Sequence, residues 1–260
     1  MIDLHTHILP GVDDGAKTIE ESFLMVKQAE KAGITTICAT PHILNQVTPQ
    51  FEEKINSGFD LLKTKIAQSE SKVDIVLGSE IYVRADMNSL EKFDFFTLNK
   101  TGRYLLMELP WGQFPPHVER IVFELKLEGK VPIIAHPERS IIAKKEWSHV
   151  ENLIQKGALM QINAGSLLGF FGRKIKSIAE ELLRRNLVHF LASDAHDPFL
   201  CPIQILPQAF TCASKIIGSE EAEKLVVSNP WQVIRGEKLT GLNVSLLFEN
   251  EKEEKIFNLS

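Results

Sequence analysis

Ile2-Asp3-Leu4-His5-Thr6-His7 and Thr35-Thr36-Ile37-Cys38-Ala39-Thr40 are two short β-rich runs, and what lies between them decides the fold. Thr18 stands three residues before Glu21 as a capping box, Phe23, Val26, Ala29 and Ala32 line one face at helical spacing, and Gly33 is placed to end the helix. The stretch is therefore one βαβ unit. Working outward, further strands are predicted at residues 73–77, 104–109, 131–135, 159–162 and 188–192, with helices in the gaps. Gly129, Gly157 and Asn186 each lie just ahead of a strand, where a residue tolerant of the left-handed conformation releases the chain from a helix. About seven such units point to an α/β protein, a distorted TIM-like (β/α)7 barrel rather than an open doubly wound sheet. Asn229-Pro230-Trp231 opens a last short helix. The barrel is expected over residues 1–240 and a polar, peripheral tail over 241–260.

Composition excludes several classes of function. The 260 residues carry 29 Lys and Arg against 34 Asp and Glu, a net charge of −5, and no dense basic block of the kind a nucleic-acid surface needs. No apolar run approaches the roughly 18 residues of a membrane span, and the amino terminus lacks a signal-peptide pattern, so a cytoplasmic protein without membrane insertion is expected. Cys38, Cys201 and Cys212 form no Cys-x-x-Cys pair and are read as reduced thiols.

Chemistry collects where the predicted strands end. His5 and His7 close the first strand, and residues two apart in a strand point the same way, so His-x-His is a ready metal clamp. His42 follows the second strand, Glu80 the third, Glu108 ends the fourth and His136 follows the fifth, while Asp194 and His196 repeat the i, i+2 spacing after the last. Asp13 and Asp14 lie in the loop after the first strand. In a barrel these carboxyl ends converge at the mouth where active sites sit. An acid at the end of a buried strand must be paired or bind a cation. His117 and His149, in helical stretches, and His189, inside the last strand, are read as structural.

Imidazole and carboxylate without thiolate suit Mn, Fe, Zn or Co, and so many ligands suggest a multinuclear centre with bridging carboxylates. Clustered divalent ions serve phosphoryl transfer, which makes phosphate-ester hydrolysis the leading reaction class. A cysteine-phosphatase loop, Cys followed by five residues and Arg, is absent: six positions beyond the three cysteines stand Leu44, Pro207 and Gly218. Val12-Asp13-Asp14-Gly15 lacks the first Asp of the aspartyl-phosphate signature, and no Gly-rich phosphate loop is present.

Leu4-His5-Thr6-His7, Gly11-Val12-Asp13-Asp14-Gly15, Thr40-Pro41-His42, Gly78-Ser79-Glu80, Met107-Glu108-Leu109-Pro110, Ala135-His136-Pro137-Glu138-Arg139 and Ser193-Asp194-Ala195-His196 together resemble the polymerase and histidinol phosphatase superfamily. More narrowly they resemble its bacterial manganese-dependent tyrosine-protein phosphatase branch, which accompanies capsule and exopolysaccharide tyrosine kinases. The resemblance implies a trinuclear cluster, with manganese the favoured metal. One ion is implied on His5, His7, Glu80 and Asp194, a second on Glu108 and His136, a third on Asp14, His42 and His196. It also implies that Arg139 grips the substrate phosphate, a task suited to its planar donor fork; the bland alternative is an ion pair with Glu138 or Glu146.

The expected activity is hydrolysis of phosphotyrosine on a protein, such as a bacterial tyrosine kinase, by a metal-bound hydroxide without a cysteine phosphoenzyme. A small-molecule phosphatase acting on histidinol phosphate, a metal-dependent nuclease and a noncatalytic scaffold are the alternatives. Trp111 and Phe114, with Phe93, Phe95 and Phe96, either wall a slot for the substrate ring or pack the core. The branch often carries a second arginine after Ser-Asp-Ala-His, and here Asp197-Pro198-Phe199-Leu200-Cys201-Pro202 has none; Arg84, Arg103 and Arg173 are the candidate substitutes.

Overall fold

The computed structural model describes residues 1–84, 93–141 and 147–239, so the tail at 241–260 and Glu146 lie outside the described residues. Nine strand segments follow in order: β1 (Ile2–Thr6), β2 (Thr36–Ala39), β3 (His42–Ile43), β4 (Asp74–Leu77), β5 (Glu80–Tyr82), β6 (Tyr104–Glu108), β7 (Val131–Ala135), β8 (Leu159–Asn163) and β9 (Phe190–Ala192). Only Thr40-Pro41 separates β2 from β3, and only Gly78-Ser79 separates β4 from β5, so the segments amount to seven strand runs. The two extra segments are what the strand readings missed, because they carry the chain past its predicted end and into the site.

Every ladder is parallel, in the orders β1-β2-β4 and β3-β5-β6-β7-β8-β9. The last strand run returns beside the first. There an isolated bridge pairs Thr6 with Ala195, His7 N–H donates to Ala195 O at 2.8 Å and Asp194 N–H to His5 O at 2.9 Å. The carboxylate of buried Asp3 also accepts the Ser193 N–H at 3.0 Å.

The connecting helices are α1 (Ile19–Lys31), α2 (Pro49–Ala67), α3 (Val118–Leu127), α4 (Pro137–Ser140), α5 (Trp147–Gln155), α6 (Ala164–Leu168), α7 (Arg173–Arg184), α8 (Leu206–Ile217), α9 (Ser219–Glu223) and α10 (Asn229–Ile234). The predicted punctuation of α1 is present: Thr18 Oγ1 accepts the Glu21 N–H at 3.2 Å, and Gly33 has φ +75. Glu21 reaches back one residue further than a capping box requires, to the Lys17 N–H at 2.7 Å. Gly129, Gly157 and Asn186 all have positive φ ahead of their strands.

The strands sandwich two apolar layers. One packs against the helices, and the other is enclosed by the strands, where Leu4, Cys38, Tyr104, Leu106, Ile133, Leu159 and Phe190 meet Val233 and Ile234 of α10. Tyr104 fastens this end by donating its hydroxyl to Glu237 O at 2.6 Å. Along β6 the inner face runs Tyr104, Leu106, Glu108, and along β8 it runs Leu159, Gln161, Asn163, so the interior turns from apolar to polar toward the carboxyl ends. His189 corrects the sequence reading in detail: it directly precedes β9, and its ring is buried against β8. No helix among the described residues is long and apolar enough to cross a membrane.

Candidate metal centre

The carboxyl ends of the strands deliver all nine predicted metal ligands to one region. His5 lies in β1 and His7 just past it, His42 opens β3, Glu80 opens β5, Glu108 closes β6, and His136, Asp194 and His196 follow β7 and β9. His136 (φ 33) and Asp194 (φ 56) adopt the left-handed conformation, which costs a residue with a Cβ of order 1–3 kcal/mol and clusters at functional sites. Gly15 is required by close approach, since a Cβ there would lie 1.9 Å from His7 O. That contact folds the Asp13-Asp14 loop onto the site.

The donor atoms fall into groups whose members lie within 4.8 Å of one another: His5, His7, Glu80 and Asp194; His7, Asp14, His42 and His196; and His42, Glu80 and Glu108. His136 Nε2 stands 3.1 Å from Glu80 Oε1 and 3.8 Å from Glu108 Oε1. Glu80 is the hub, with Oε2 at 3.1 Å from His5 Nε2, 3.3 Å from His7 Nε2 and 3.0 Å from His42 Nδ1. The grouping implied by the resemblance thus gains His7 in the Asp14 set, and Glu108 stands with His42 and Glu80 as well as near His136.

Spacing tests whether these residues suit a cation. Two donors bound to one ion at roughly 2.1 Å stand about 3.0 Å apart along an octahedral edge and about 3.4 Å along a tetrahedral one. His5 Nε2 to His7 Nε2 is 3.2 Å, and Asp194 Oδ1 is 3.2 and 3.4 Å from them. Glu80 Oε2 and His42 Nδ1, both buried, satisfy no hydrogen-bond geometry despite standing 3.0 Å apart. The donors converge on shared space rather than on one another, and the set fits divalent cations.

Charge agrees with geometry. Among the described residues, Asp13, Asp14, Glu80, Glu108 and Asp194 line the cleft against one guanidinium, that of Arg139. Burial would lower the pKa of His5, yet Glu80 and Asp194 beside it reverse this and raise it to about 9. Burial acts on Glu80 in the raising direction, but His5, His136 and His42 hold it well below the usual carboxylate range. Glu108 moves up, through burial and the neighbouring Glu80. A site that draws protons this strongly onto imidazoles draws cations for the same electrostatic reason.

Arg139 Nη1 pairs with Asp194 Oδ2 at 3.0 Å, not with Glu138, whose carboxylate accepts the Asn163 N–H at 2.9 Å. Its guanidinium carbon lies 4.1 Å from the Phe171 ring centroid and 5.1 Å from that of Trp111. Trp111 is 61 % exposed and lines a cleft of about 660 Å³ together with Leu44, Phe51 and Tyr82. Phe95 and Phe96 are buried core, and Phe114 stacks on His149, so those rings pack rather than wall the cleft. Arg103 sits at the amino end of β6, where its carbonyl accepts the Val131 N–H, and Arg173 is not among the cleft residues. Arg84 donates to the carbonyl of Leu44 at 2.9 Å, at the cleft rim.

Two sets of residues stand behind the ligands: Asp13, which the sequence places in the loop beside the mouth but without this role, and two amides that carry no signal in the sequence. Asp13 Oδ2 accepts from His7 Nδ1 at 2.7 Å and from the His42 N–H at 3.0 Å, fixing both histidines from behind. Gln161 and Asn163, on a strand without a predicted ligand, stand against His5 and Asp194.

The description that matches this chain, over residues 1–235, is capsular polysaccharide synthesis, CpsB/CapC. The chain belongs to the CpsB/CapC family. It is 38% identical over 198 residues to the tyrosine-protein phosphatase YwqE of Bacillus subtilis, covering 76% of this chain and 78% of the relative. To the putative tyrosine-protein phosphatase CapC of Staphylococcus aureus it is 36% identical over 236 residues, 88% of this chain and 92% of the relative. It superimposes with a TM-score of 0.84 and 34% identity, over 92% of this chain and 96% of the other, on a structure from work on YwqE of B. subtilis and CpsB of Streptococcus pneumoniae, described as unique metal-dependent tyrosine phosphatases. The CpsB/CapC match spans every motif that delivers the centre.

Proposed function

We propose that this protein is a metal-dependent phosphatase that hydrolyses phosphotyrosine on protein substrates, within a capsule or exopolysaccharide system. The observation that carries the reading is the convergence of His5, His7, Glu80 and Asp194 beside Arg139 in one open cleft. Three ions are proposed: His5, His7, Glu80 and Asp194 would hold one, Glu108 and His136 a second, and Asp14, His42 and His196 a third. Manganese is the proposed metal, a bacterial tyrosine kinase the proposed substrate, and the cytoplasm the proposed compartment; residues 1–240 form the catalytic barrel, with 241–260 peripheral. When bound, the ions spread the charge of the phosphate and ionise a water at neutral pH.

The remaining work falls to the chain itself. Asp194 takes one donor of Arg139 and the flanking rings hold its plane, which leaves the other donors for phosphate oxygens. Trp111, Tyr82 and Phe51 offer apolar surface to a phenyl ring. Tyrosinate, with a pKa near 10, leaves with modest help from a proton donor. The reading assigns no step to cysteine: burial pushes the thiols of Cys38 and Cys201 up, with Asp194 adding to the rise at Cys201, and no cysteine is followed by an arginine six positions on. Phosphate release from a phosphotyrosyl peptide, with Mn²⁺ added, tests the reading alongside histidinol phosphate and a His136→Ala control. Peptide turnover that a chelator and the substitution both abolish is the expected result. Turnover of histidinol phosphate alone rejects the protein-phosphatase reading in favour of a small-molecule one.

A further inference from the structure

Strand β8 supplies no ligand, yet it sets two amides, Gln161 and Asn163, fully buried behind the centre. Buried amides are costly unless their polar atoms are paired, and here the pairing has a direction. Asp194 Oδ2 is a carboxylate oxygen that can only accept, so Asn163 must present Nδ2 to it. Asn163 Oδ1 is then an acceptor, and Gln161 Nε2 donates to it at 2.7 Å. This leaves Gln161 Oε1, also an acceptor, 2.9 Å from His5 Nδ1, which must carry the proton. The other nitrogen, Nε2, is the one facing Glu80 Oε2 and Asp194 Oδ1.

We infer that Gln161 and Asn163 are positioning residues, a one-way amide relay that couples the orientation of Asp194 to the tautomer of His5. The inference rests on the metal-centre reading given above. The relay joins two donors of one group from behind: it occupies Asp194 Oδ2, together with Arg139, so that Oδ1 faces the centre, and it keeps the lone pair of His5 Nε2 there too. Turning over either amide would set like poles against each other at both ends. Partners that orient ligands in this way typically govern metal affinity by about 10- to 100-fold.

The test uses the full chain. Two-bond ¹H–¹⁵N spectra of the ¹⁵N-histidine-labelled, Zn²⁺-loaded protein are expected to show His5 protonated at Nδ1, and calorimetry to show Mn²⁺ bound about 10- to 100-fold more weakly by Gln161→Leu and by Asn163→Leu. Gln161→Glu, which retains an acceptor for the His5 Nδ1 proton, is expected to restore the wild-type tautomer signal where Gln161→Leu loses it. His5 protonated at Nε2 in the wild type overturns the relay, and that spectrum decides even if a leucine variant does not fold. Unchanged Mn²⁺ affinity in both folded leucine variants overturns the relay alone, whereas a wild type that binds no divalent ion overturns the metal-centre reading beneath it.

Discussion

Two buried histidines, one toward each end of the strands, show how differently the two ends are built. His189, before β9, is buried, and among the described residues no carboxylate pairs with it; its Nδ1 accepts the Met160 N–H at 3.0 Å, and desolvation lowers its pKa to about 4. His5, equally buried, is raised to about 9 by Glu80 and Asp194. At the amino ends of the strands a titratable group is kept neutral and treated as core. At the carboxyl ends charges are gathered that the low-dielectric surroundings penalise, and only mutual pairing or a cation offsets the cost. The apolar end, with Tyr104, Leu106 and Phe190, supplies stability that the polar end uses.

The sharpest way to break this contrast is to substitute one residue at each end. Glu80→Gln removes the hub carboxylate and is expected to lower phosphotyrosyl-peptide turnover by about 10³-fold or more, with circular dichroism unchanged. Phe190→Ala is expected to cost about 3–5 kcal/mol of unfolding free energy while turnover at a permissive temperature stays near wild type. If Glu80→Gln unfolds the chain, or Phe190→Ala abolishes turnover in folded protein, the ends are not separable.

Acid pH provides a second, smaller test. The folded pKa of His189, about 4, lies below the ordinary value of 6.5, so the unfolded chain binds the extra proton first and stability falls as pH drops from 6.5 toward 4. At about 1.4 kcal/mol per unit this amounts to about 3 kcal/mol, present as stability above pH 6.5. Urea titrations of His189→Gln should show a correspondingly shallower loss over that window, and parallel curves for the two proteins would reject the assignment. The smallest effect is expected at the rim, where Trp111→Ala should raise KM for a phosphotyrosyl peptide about 2- to 10-fold with little change in kcat. An equal rise for a small alkyl phosphate would show that Trp111 does not meet the substrate ring.

Much of this arrangement is legible in the chain because it is periodic or local. The seven strand runs follow from β-rich segments bounded by Gly129, Gly157 and Asn186, and His5 and His7 are aligned by a two-residue repeat. Because parallel strands share a direction, residues at their carboxyl ends converge, so His42, Glu80, Glu108, His136 and Asp194 are recognisable as neighbours before any contact is known. β3 and β5 escaped because they are two and three residues long and follow Pro41 and Ser79, too short for a period to register.

By itself the sequence determined the order of strands and helices, the end of the barrel where the donors gather and the chemistry of those donors, since these depend on residue type and on spacing along one segment. Only the tertiary structure decided which donor atoms stand within reach of one another, that Arg139 pairs with Asp194, that Asp13 braces His7 and that Gln161 stands behind His5, 156 residues away. The physical reason is that a hydrogen bond is set by distances of about 3 Å and by the direction of a lone pair. Neither is encoded in a local period; both arise when packed strands bring distant side chains into register.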